Sequence, residues 1–210
     1  METIFWDVDT QIDFIEPDGN LAVEGAVEIK DNLRQLINFA RERSIPLLGS
    51  VDYHEEEDAE ITDDPDFENT FPPHCLAEAE GQDKIEETRP VDPLWVDTAP
   101  RKKEELKEQI NEHDGEIYFR KQKFDVFSNP NLERTLDIIN PEHIVVFGVT
   151  LDVCVRFAAE GFFERGHRVS VVKDATRAID PAKGESLLKN WLQRGLQVVT
   201  TEEIVERLGP

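Results

Sequence analysis

The sequence has few cysteines and no long apolar run. Two cysteines, Cys75 and Cys154, are present among the 210 residues, too few for a disulfide framework or a four-cysteine zinc site. No apolar run approaches the ~20 residues that span a bilayer, and the N-terminal METIFWDVD lacks the basic and apolar regions of a signal peptide. These absences predict a cytoplasmic protein with reduced thiols.

Basic residues are also scarce. There are 23 lysines and arginines against 46 aspartates and glutamates, which gives a formal charge of −23. Such a surface repels phosphate backbones and anionic lipids, which argues against a nucleic-acid or membrane partner. The acidic residues cluster at 55–68 and 77–87. We interpret these clusters as solvated loop surfaces, with a cation site as the alternative.

Short apolar runs alternate with patterns of helical period along the chain. The predicted strands are 3–9, 45–52, 116–121, 143–149, 167–175 and 196–201, and the predicted helices are 26–44, 99–114, 129–140, 152–166 and 181–195. The stretch 53–98 is proline-containing, irregular and acidic. This alternation predicts an α/β fold of three layers, α/β/α, with a mostly parallel central sheet. We expect one domain over 1–210, with 53–98 as an insertion.

Reactive groups in such sheets lie at the carboxyl ends of the strands. The polar residues predicted at that edge are Asp7, Asp9, Asp52, His54, Lys121, Cys154, Lys173 and Asp174. Together they supply acids, bases, lysines and a thiol. Because any sheet edge carries some polar side chains, this set suggests a site without defining one.

The stretch GVTLDVCV, 148–155, places a thiol where a strand gives way to a helix. Asp152 is positioned to cap that helix, which puts Cys154 in its first turn. The free amides of a first turn favour a thiolate and can also receive an oxyanion. Lys121 would supply a cation and Asp9 a proton acceptor. The alternatives are a buried structural cysteine or an oxidisable redox thiol.

Six short motifs occur in a fixed order along the chain. They are DTQIDF at 9–14, GNLAVEGA at 19–26, SVDYH at 50–54, FPPHC at 71–75, RKQKFDVF at 120–127 and GVTLDVCV at 148–155. The set resembles the isochorismatase-like cysteine hydrolase superfamily, most closely its nicotinamidase/pyrazinamidase branch, from about residue 3 to about residue 180. The resemblance implies a Rossmann-like topology and a homo-oligomer.

The resemblance also implies a catalytic triad of Asp9, Lys121 and Cys154. Lys123 is a rival to Lys121, which holds the motif position directly after the strand. The family has a cis peptide before the position of Thr150, and the amides of Thr150 and Cys154 match its oxyanion donors. The implied enzyme hydrolyses a linear carboxamide C–N bond, most simply nicotinamide to nicotinate and ammonia in NAD salvage, through a thioester.

Two other functions remain open. One is hydrolysis of a different small-molecule amide, a carbamoyl or ureido compound, by the same superfamily chemistry. The other is a non-catalytic binding protein on the same fold. Isochorismatases proper cleave a vinyl ether and lack the cysteine, so Cys154 argues against that activity. No catalytic role is implied for Cys75, and no organic cofactor is implied.

A divalent metal is a further implication of the resemblance. Asp52, His54 and His74 match the metal ligands of the nicotinamidase branch, and such donors suit zinc, iron or manganese. The usual third histidine of that branch falls on Glu60. The site is therefore either retained with Glu60 as a ligand or lost.

Aromatic residues of the motifs predict how a flat ring is held. Phe14, Phe71 and Phe127 stand where they can enclose such a ring, with core packing as the alternative for each. Hydrolysis of a carbamoyl or ureido compound would instead require a cation for the substrate carboxylate. Arg156 and Arg177 are the candidates for that role.

Overall fold

The structure is a computed structural model that describes residues 3–209. A parallel sheet of seven strands forms its centre. The strands are β1 Thr3–Val8, β2 Leu47–Asp52, β3 Leu94–Val96, β4 Ile117–Lys121, β5 His143–Val149, β6 Arg168–Arg177 and β7 Gln197–Val199. Their order is β3-β4-β2-β1-β5-β6-β7, and each neighbouring pair is parallel. The predicted α/β fold is confirmed.

Seven α-helices surround the sheet within residues 3–209. They are α1 Ile12–Ile15, α2 Lys30–Glu42, α3 Lys103–Asn111, α4 Leu132–Ile139, α5 Cys154–Glu164, α6 Pro181–Arg194 and α7 Thr201–Leu208. The predicted helix 26–44 is divided into a 3₁₀ turn, Ala26–Ile29, and α2. None of the helices within 3–209 combines the length and the apolar character needed to cross a membrane.

Side chains of β1, β2, β5 and β6 contribute to two separate apolar cores, one on each face of the sheet. On one face, Trp6 stacks on Phe119 with ring centroids 5.6 Å apart, in a core that includes residues of α3, α4, α5 and α6. On the other face, Phe5 and Phe147 lie 6.1 Å apart, in a core shared with α2 and α7. The sheet is therefore covered on both sides, as the period-two alternation of strand side chains requires.

Gly148, the first residue of the motif that carries the thiol, allows β1 and β5 to approach closely. Its φ is 114°, and a Cβ at this position would lie 2.0 Å from the carbonyl oxygen of Val8. Only glycine combines this conformation with that clearance. The residues that follow β1 and β5 are thereby held side by side.

The insertion 53–98 is ordered against the carboxyl edge of the sheet. It contains the edge strand β3, which was not predicted because it spans only three residues directly after Pro93. Isolated bridges join Gln11 to Lys84 and His54 to Leu76. These contacts bring motifs that are far apart in the sequence to one edge.

A buried ion pair attaches the insertion to β1. The ammonium of Lys84 lies 3.0 Å from Asp7 Oδ2, and the Thr10 hydroxyl donates to Asp7 Oδ1 at 2.8 Å. Burial raises the pKa of Asp7, against the opposing effect of Lys84. Asp7 thus belongs to the packing of the insertion, whereas the sequence placed it among the reactive groups.

We expect Lys84→Met to destabilise the protein by about 3–5 kcal/mol, because it leaves the Asp7 carboxyl buried without its partner. The double variant Asp7→Asn/Lys84→Met removes both charges and should be distinctly more stable than Lys84→Met. Urea unfolding at neutral pH measures both free energies. A Lys84→Met variant as stable as the wild type would contradict the role assigned to this pair.

Candidate active site

The ammonium of Lys121 lies at the centre of a buried polar group. Lys121 is the last residue of β4 and is fully buried. Its Nζ lies 2.9 Å from Asp9 Oδ2 and 3.5 Å from Cys154 Sγ, and it donates a short hydrogen bond to Asp52 Oδ1. Burial opposes the charge, but Asp52 and Asp9 outweigh it and raise the pKa of Lys121. The rival Lys123 is exposed to solvent.

Asp9 follows β1 directly and is buried beside this ammonium. Its backbone is in the left-handed region, with φ 46°, which is uncommon outside glycine and clusters at functional sites. Neither of its carboxylate oxygens accepts a well-directed hydrogen bond within 3–209, so the contact with Lys121 is an ion pair. Burial raises the pKa of Asp9, which makes it a better proton acceptor.

Cys154 is the first residue of α5 and is 7% exposed. Burial raises the pKa of its thiol well above the ordinary value, and this outweighs the opposing effect of Lys121. The resting group is therefore a thiol, whereas the argument from the helix terminus favoured a thiolate. A nucleophilic attack then requires a neighbouring base, and Asp9 is positioned to be that base.

Asp152 does not cap α5, contrary to the sequence prediction. The N-cap of α5 is Val153, which makes no side-chain capping bond. The Asp152 carboxylate instead accepts from the amides of Ile179 and Asp180 at 2.9 and 3.0 Å. Asp152 therefore fixes the loop before α6 and leaves the first turn of α5 open.

Two backbone amides beside the thiol lack a protein acceptor. The Val149–Thr150 peptide bond is cis, and the Thr150 carbonyl accepts from Val153 and Val155 at 3.1 and 3.0 Å. Within residues 3–209, the amides of Thr150 and Cys154 donate to no protein group. Because both residues line the same cavity, these amides are available to a ligand oxygen.

A cavity of about 260 Å³ opens above the thiol; we call it the inner pocket. Its walls are Phe14, Leu21, Ala22, Val23, Glu24, Asp52, Phe67, Phe71, His74, Phe124, Thr150, Val153, Cys154 and Ile179. This volume lies near the lower end of the range for small-molecule sites. The walls are mainly apolar, and their polar side chains include those of Cys154, Asp52 and His74.

Phe14 and Phe71 line the inner pocket, but Phe127 does not. Phe127 packs on Phe162, with ring centroids 5.3 Å apart, and Gly161 leaves the space that its ring fills. Its alternative interpretation, core packing, is the correct one. Phe67 and Phe124 line the pocket instead. Phe124 was identifiable in principle, because it stands three residues after Lys121 in the same motif.

Asp52, His54 and His74 form a compact group of possible metal ligands. One donor atom of each lies within 4.8 Å of the others. His54 Nδ1 contacts Asp58 Oδ2 at 3.2 Å, and His74 Nδ1 contacts the carbonyl of Pro72 at 2.8 Å. Their Nε2 atoms lie 3.8 and 4.0 Å from Asp52 oxygens.

This arrangement fits a divalent metal. The outer Nδ1 contacts orient the imidazoles as second-sphere partners do in metal sites. His54 Nε2 is buried and has no hydrogen-bond partner within 3–209, a costly state unless another partner binds there. Two imidazoles and one carboxylate are also a common protein ligand set for zinc with an open position.

Glu60 is not part of this group. Its Oε1 accepts from the Phe124 amide at 3.2 Å, and burial raises the pKa of its carboxyl to about 7. The structure thus connects Glu60 to the segment that carries Phe124. A role for Glu60 as a fourth side-chain ligand, in place of the third histidine, is not supported by the position of its carboxyl.

Several other candidates lie away from the thiol. Lys173 is exposed, and the Asp174 carboxylate accepts from the Thr201 amide at 2.8 Å, so β6 does not contribute the two groups predicted from it. Arg177 pairs with Glu28 at 3.1 Å. Cys75 is fully buried, and its burial raises its pKa well above the ordinary value.

The side chain of Gln11 positions the end of β2, a role that sequence analysis missed. Its Nε2 donates to the carbonyls of Asp52 and Gln82, both at 2.8 Å. Its Oε1 accepts from the Asp52 amide at 2.7 Å. Gln11 therefore holds the backbone of Asp52 against both the loop after β1 and the insertion. The only signal in the sequence is its place in the DTQIDF motif.

Comparisons with known proteins bear on the family and the fold. The family described as Isochorismatase domain matches residues 4–203. A curated relative from Dictyostelium discoideum, Isochorismatase family protein 2A, is 30% identical over 69 residues, which is 33% of this chain and 34% of that protein. The match thus spans about a third of the relative.

Two solved structures are similar over nearly the whole chain. A nicotinamidase/pyrazinamidase from Bacillus subtilis has a TM-score of 0.73 at 22% identity, covering 95% of this chain and 100% of that one. A pyrazinamidase of Pyrococcus horikoshii in complex with zinc has a TM-score of 0.73 at 22% identity, covering 95% and 99%. At this level of identity the likeness establishes the fold alone.

We expect the chain to bind one zinc ion through Asp52, His54 and His74. His54→Ala and His74→Ala should each weaken zinc binding by at least about 100-fold, since even the loss of an outer partner of a metal ligand costs about 10–100-fold. Glu60→Gln, the matched control, should leave the affinity within about threefold. Competition with a chromophoric chelator measures all four proteins. A Glu60→Gln variant as weak as His54→Ala would place Glu60 in the coordination sphere.

Proposed function

Because the chain belongs to the isochorismatase domain family, we propose that it is a cysteine-dependent amidohydrolase whose substrate is nicotinamide. The products are nicotinate and ammonia, and the reaction would serve NAD salvage. The observation that carries this proposal is the contact of one buried ammonium, that of Lys121, with both Asp9 and Cys154. These three residues are the proposed catalytic triad.

Cys154 begins the reaction as a neutral thiol. Its sulfur attacks the carbonyl carbon of the carboxamide while Asp9 accepts the thiol proton. The negative charge that develops on the carbonyl oxygen is received by the amides of Thr150 and Cys154, which have no protein acceptor in the part of the chain that the structure describes. Donors held in place at a developing charge accelerate such a step, because they need no reorganisation during the reaction.

The intermediate then collapses to a thioester. The C–N bond breaks, and the proton held by Asp9 passes to the leaving nitrogen, which departs as ammonia. Water attacks the thioester carbon, with Asp9 again accepting a proton, and the carboxylic acid leaves as the Cys154 thiol is restored. Lys121 keeps its proton throughout, because its pKa is raised by the two carboxylates, and it stabilises the transient thiolate electrostatically.

The inner pocket supports a planar, single-ring substrate. Phe14, Phe71 and Phe124 supply aromatic walls, and no lysine or arginine is among the residues that line the pocket within 3–209. Asp52, His54 and His74 would hold a divalent metal, which when bound supplies a Lewis acid for a ring nitrogen. This favours an uncharged aromatic amide over a short carbamoyl or ureido acid, which would need a cation there.

A binding protein without catalysis is disfavoured by the same geometry. Bringing two carboxylates, a lysine and a thiol together in a buried site is costly unless the charges are paired. A pocket that only binds a ligand would not need this buried group of two carboxylates, a lysine and a thiol. The assembled triad is therefore better explained by chemistry at Cys154.

We predict that purified protein loaded with zinc, iron or manganese releases ammonia from nicotinamide. Cys154→Ala should reduce kcat/KM by at least about 10³-fold, as the loss of a nucleophile does in other hydrolases. Asp9→Asn should cause a similar loss, because it removes the proton acceptor. Coupled detection of ammonia measures these rates.

The other cysteine supplies the matched control. Cys75→Ala should retain activity within about tenfold, since the Cys75 thiol lies in an apolar core and donates to the backbone carbonyl of Gly81 at 3.9 Å. Equal activity of Cys154→Ala and wild type would refute the proposed mechanism. A folded, metal-loaded wild type that is inactive on nicotinamide would exclude this substrate and direct the test to other amides.

A further inference from the structure

Phe67 combines high exposure with a place in the wall of the inner pocket. It is 65% exposed, the highest value among the five large apolar residues found exposed within 3–209. It lines both the inner pocket and a neighbouring cavity of about 770 Å³, which we call the outer cavity. Exposed apolar surface in the wall of a cavity is typical of a ligand-binding site. The ring of Phe67 is therefore available to a ligand in the inner pocket.

The backbone holds Phe67 in a conformation that phenylalanine seldom adopts. Its φ is 57°, in the left-handed region, which is unfavourable for a bulky side chain. Residues in such conformations persist where the surrounding contacts impose them, and they cluster at functional sites. The Phe67 amide donates to the Thr70 carbonyl at 3.0 Å, which closes a turn over 66–70. The conformation of Phe67 is thus imposed by this turn.

The side chain of Asp66 fixes the turn. Its Oδ1 accepts from the amides of Glu68, Asn69 and Thr70 at 2.9, 2.7 and 2.9 Å, and from the Thr70 hydroxyl at 3.1 Å. Its Oδ2 accepts from the Asn69 side chain at 3.0 Å. These hydrogen bonds, that from the Asn69 side chain foremost, lower the pKa of Asp66. The side chain is therefore an ionised acceptor at neutral pH, and the turn does not depend on contacts with the rest of the insertion.

Phe67 extends the aromatic wall of the inner pocket. Its ring centroid lies 6.2 Å from that of Phe71, with the two ring planes at 87°. Phe71 in turn makes edge contacts with Phe124 at 5.7 Å and with His74 at 6.2 Å. All four residues line the inner pocket. A flat ring that binds among these side chains can contact Phe67 as well as Phe71.

We propose that Phe67 is a specificity-determining residue that contacts the ring of an aromatic amide, and that Asp66 is the positioning residue that holds Phe67 in place. The inference rests on the proposed amidohydrolase function and identifies what selects an aromatic amide over an aliphatic one. Because the turn is already formed in the free protein, the contact requires no ordering of the chain on binding. The contact is equal in the ground and transition states, so it acts on KM rather than on kcat.

The first test removes the ring in the metal-loaded enzyme. Phe67→Ala should raise KM for nicotinamide by about tenfold to 100-fold, the effect of losing the apolar contact of one phenylalanine, and leave kcat within about threefold. Phe67→Tyr keeps the ring and should keep KM within about threefold. Propanamide, an amide without a ring, should inhibit wild type and Phe67→Ala with constants that agree within about threefold. An equal loss for nicotinamide and propanamide would contradict a role of Phe67 in specificity.

The second test addresses Asp66. Asp66→Ala should reproduce the rise in KM caused by Phe67→Ala, because the turn is no longer fixed. Asp66→Asn keeps an oxygen that can accept from the three amides and should keep KM within about threefold. The double variant Asp66→Ala/Phe67→Ala should have the KM of Phe67→Ala alone, since Asp66 acts through Phe67. Additive losses in the double variant would show that Asp66 does not act by positioning Phe67.

Leu192→Ala and Asp64→Ala are the matched controls. Leu192 is 57% exposed but lines neither cavity, and Asp64 is an exposed acid two residues before Asp66. Both variants should have the KM of the wild type. An unchanged KM in Phe67→Ala, with hydrolysis still dependent on Cys154, would overturn the inference and leave the amidohydrolase function standing. A loss of oligomers in sedimentation without a change in KM would assign Phe67 to an interface between copies and also overturn it.

Binding to Cys154→Ala separates this inference from the proposed function. Calorimetric titration of the metal-loaded variant with nicotinamide should show binding that Phe67→Ala weakens by at least about tenfold in the same background. If the wild type hydrolyses no amide, the amidohydrolase function fails, and binding that still requires the Phe67 ring upholds Phe67 as a ring-binding residue. Absence of both hydrolysis and binding overturns both proposals.

Discussion

The charge of Lys121 is the constraint on which the whole edge of the sheet depends. Asp9 and Asp52 are buried, and their oxygens lie within 4.8 Å of each other and of Cys154 Sγ. Two carboxylates this close in a low-dielectric site cannot both be ionised without a cation between them. The ammonium of Lys121 supplies that cation, and its own burial is compensated by the same two carboxylates. Each member of the group is thus needed by the others.

The order of the strands is what brings these groups together. Four consecutive strands of the sheet, β4, β2, β1 and β5, present Lys121, Asp52, Asp9 and Cys154 in turn at their carboxyl ends. Because all four strands are parallel, these ends lie on one edge, and strands are too closely spaced for neighbouring side chains to avoid contact. Gly148 permits the close approach of β1 and β5 that the last pair requires.

Most of this arrangement could be predicted from the sequence. The apolar runs locate the strands, and the motifs that follow them show which residue stands at the carboxyl end of each strand. The errors concern side chains whose direction depends on local packing. Phe127 lies in a 3₁₀ turn and faces the apolar core, while Phe124 in the same motif lines the pocket. The Asp152 carboxylate could accept from the first-turn amides of α5 or from the amides of the loop before α6. It accepts from the loop amides. Residue type alone does not decide between such alternatives.

Asp52 connects the proposed triad to the possible metal ligands. Its Oδ1 accepts a hydrogen bond from Lys121 and lies 3.8 Å from His54 Nε2. Its Oδ2 lies 4.0 Å from His74 Nε2. A cation bound by the imidazoles would share this carboxylate with Lys121, and the attraction of Lys121 for Asp52 would weaken accordingly. Lys121 would then interact more strongly with Asp9 and Cys154. In the proposed mechanism, metal binding and the chemistry of Cys154 would therefore both depend on the Asp52 carboxylate, and Gln11 holds the backbone of Asp52 in place.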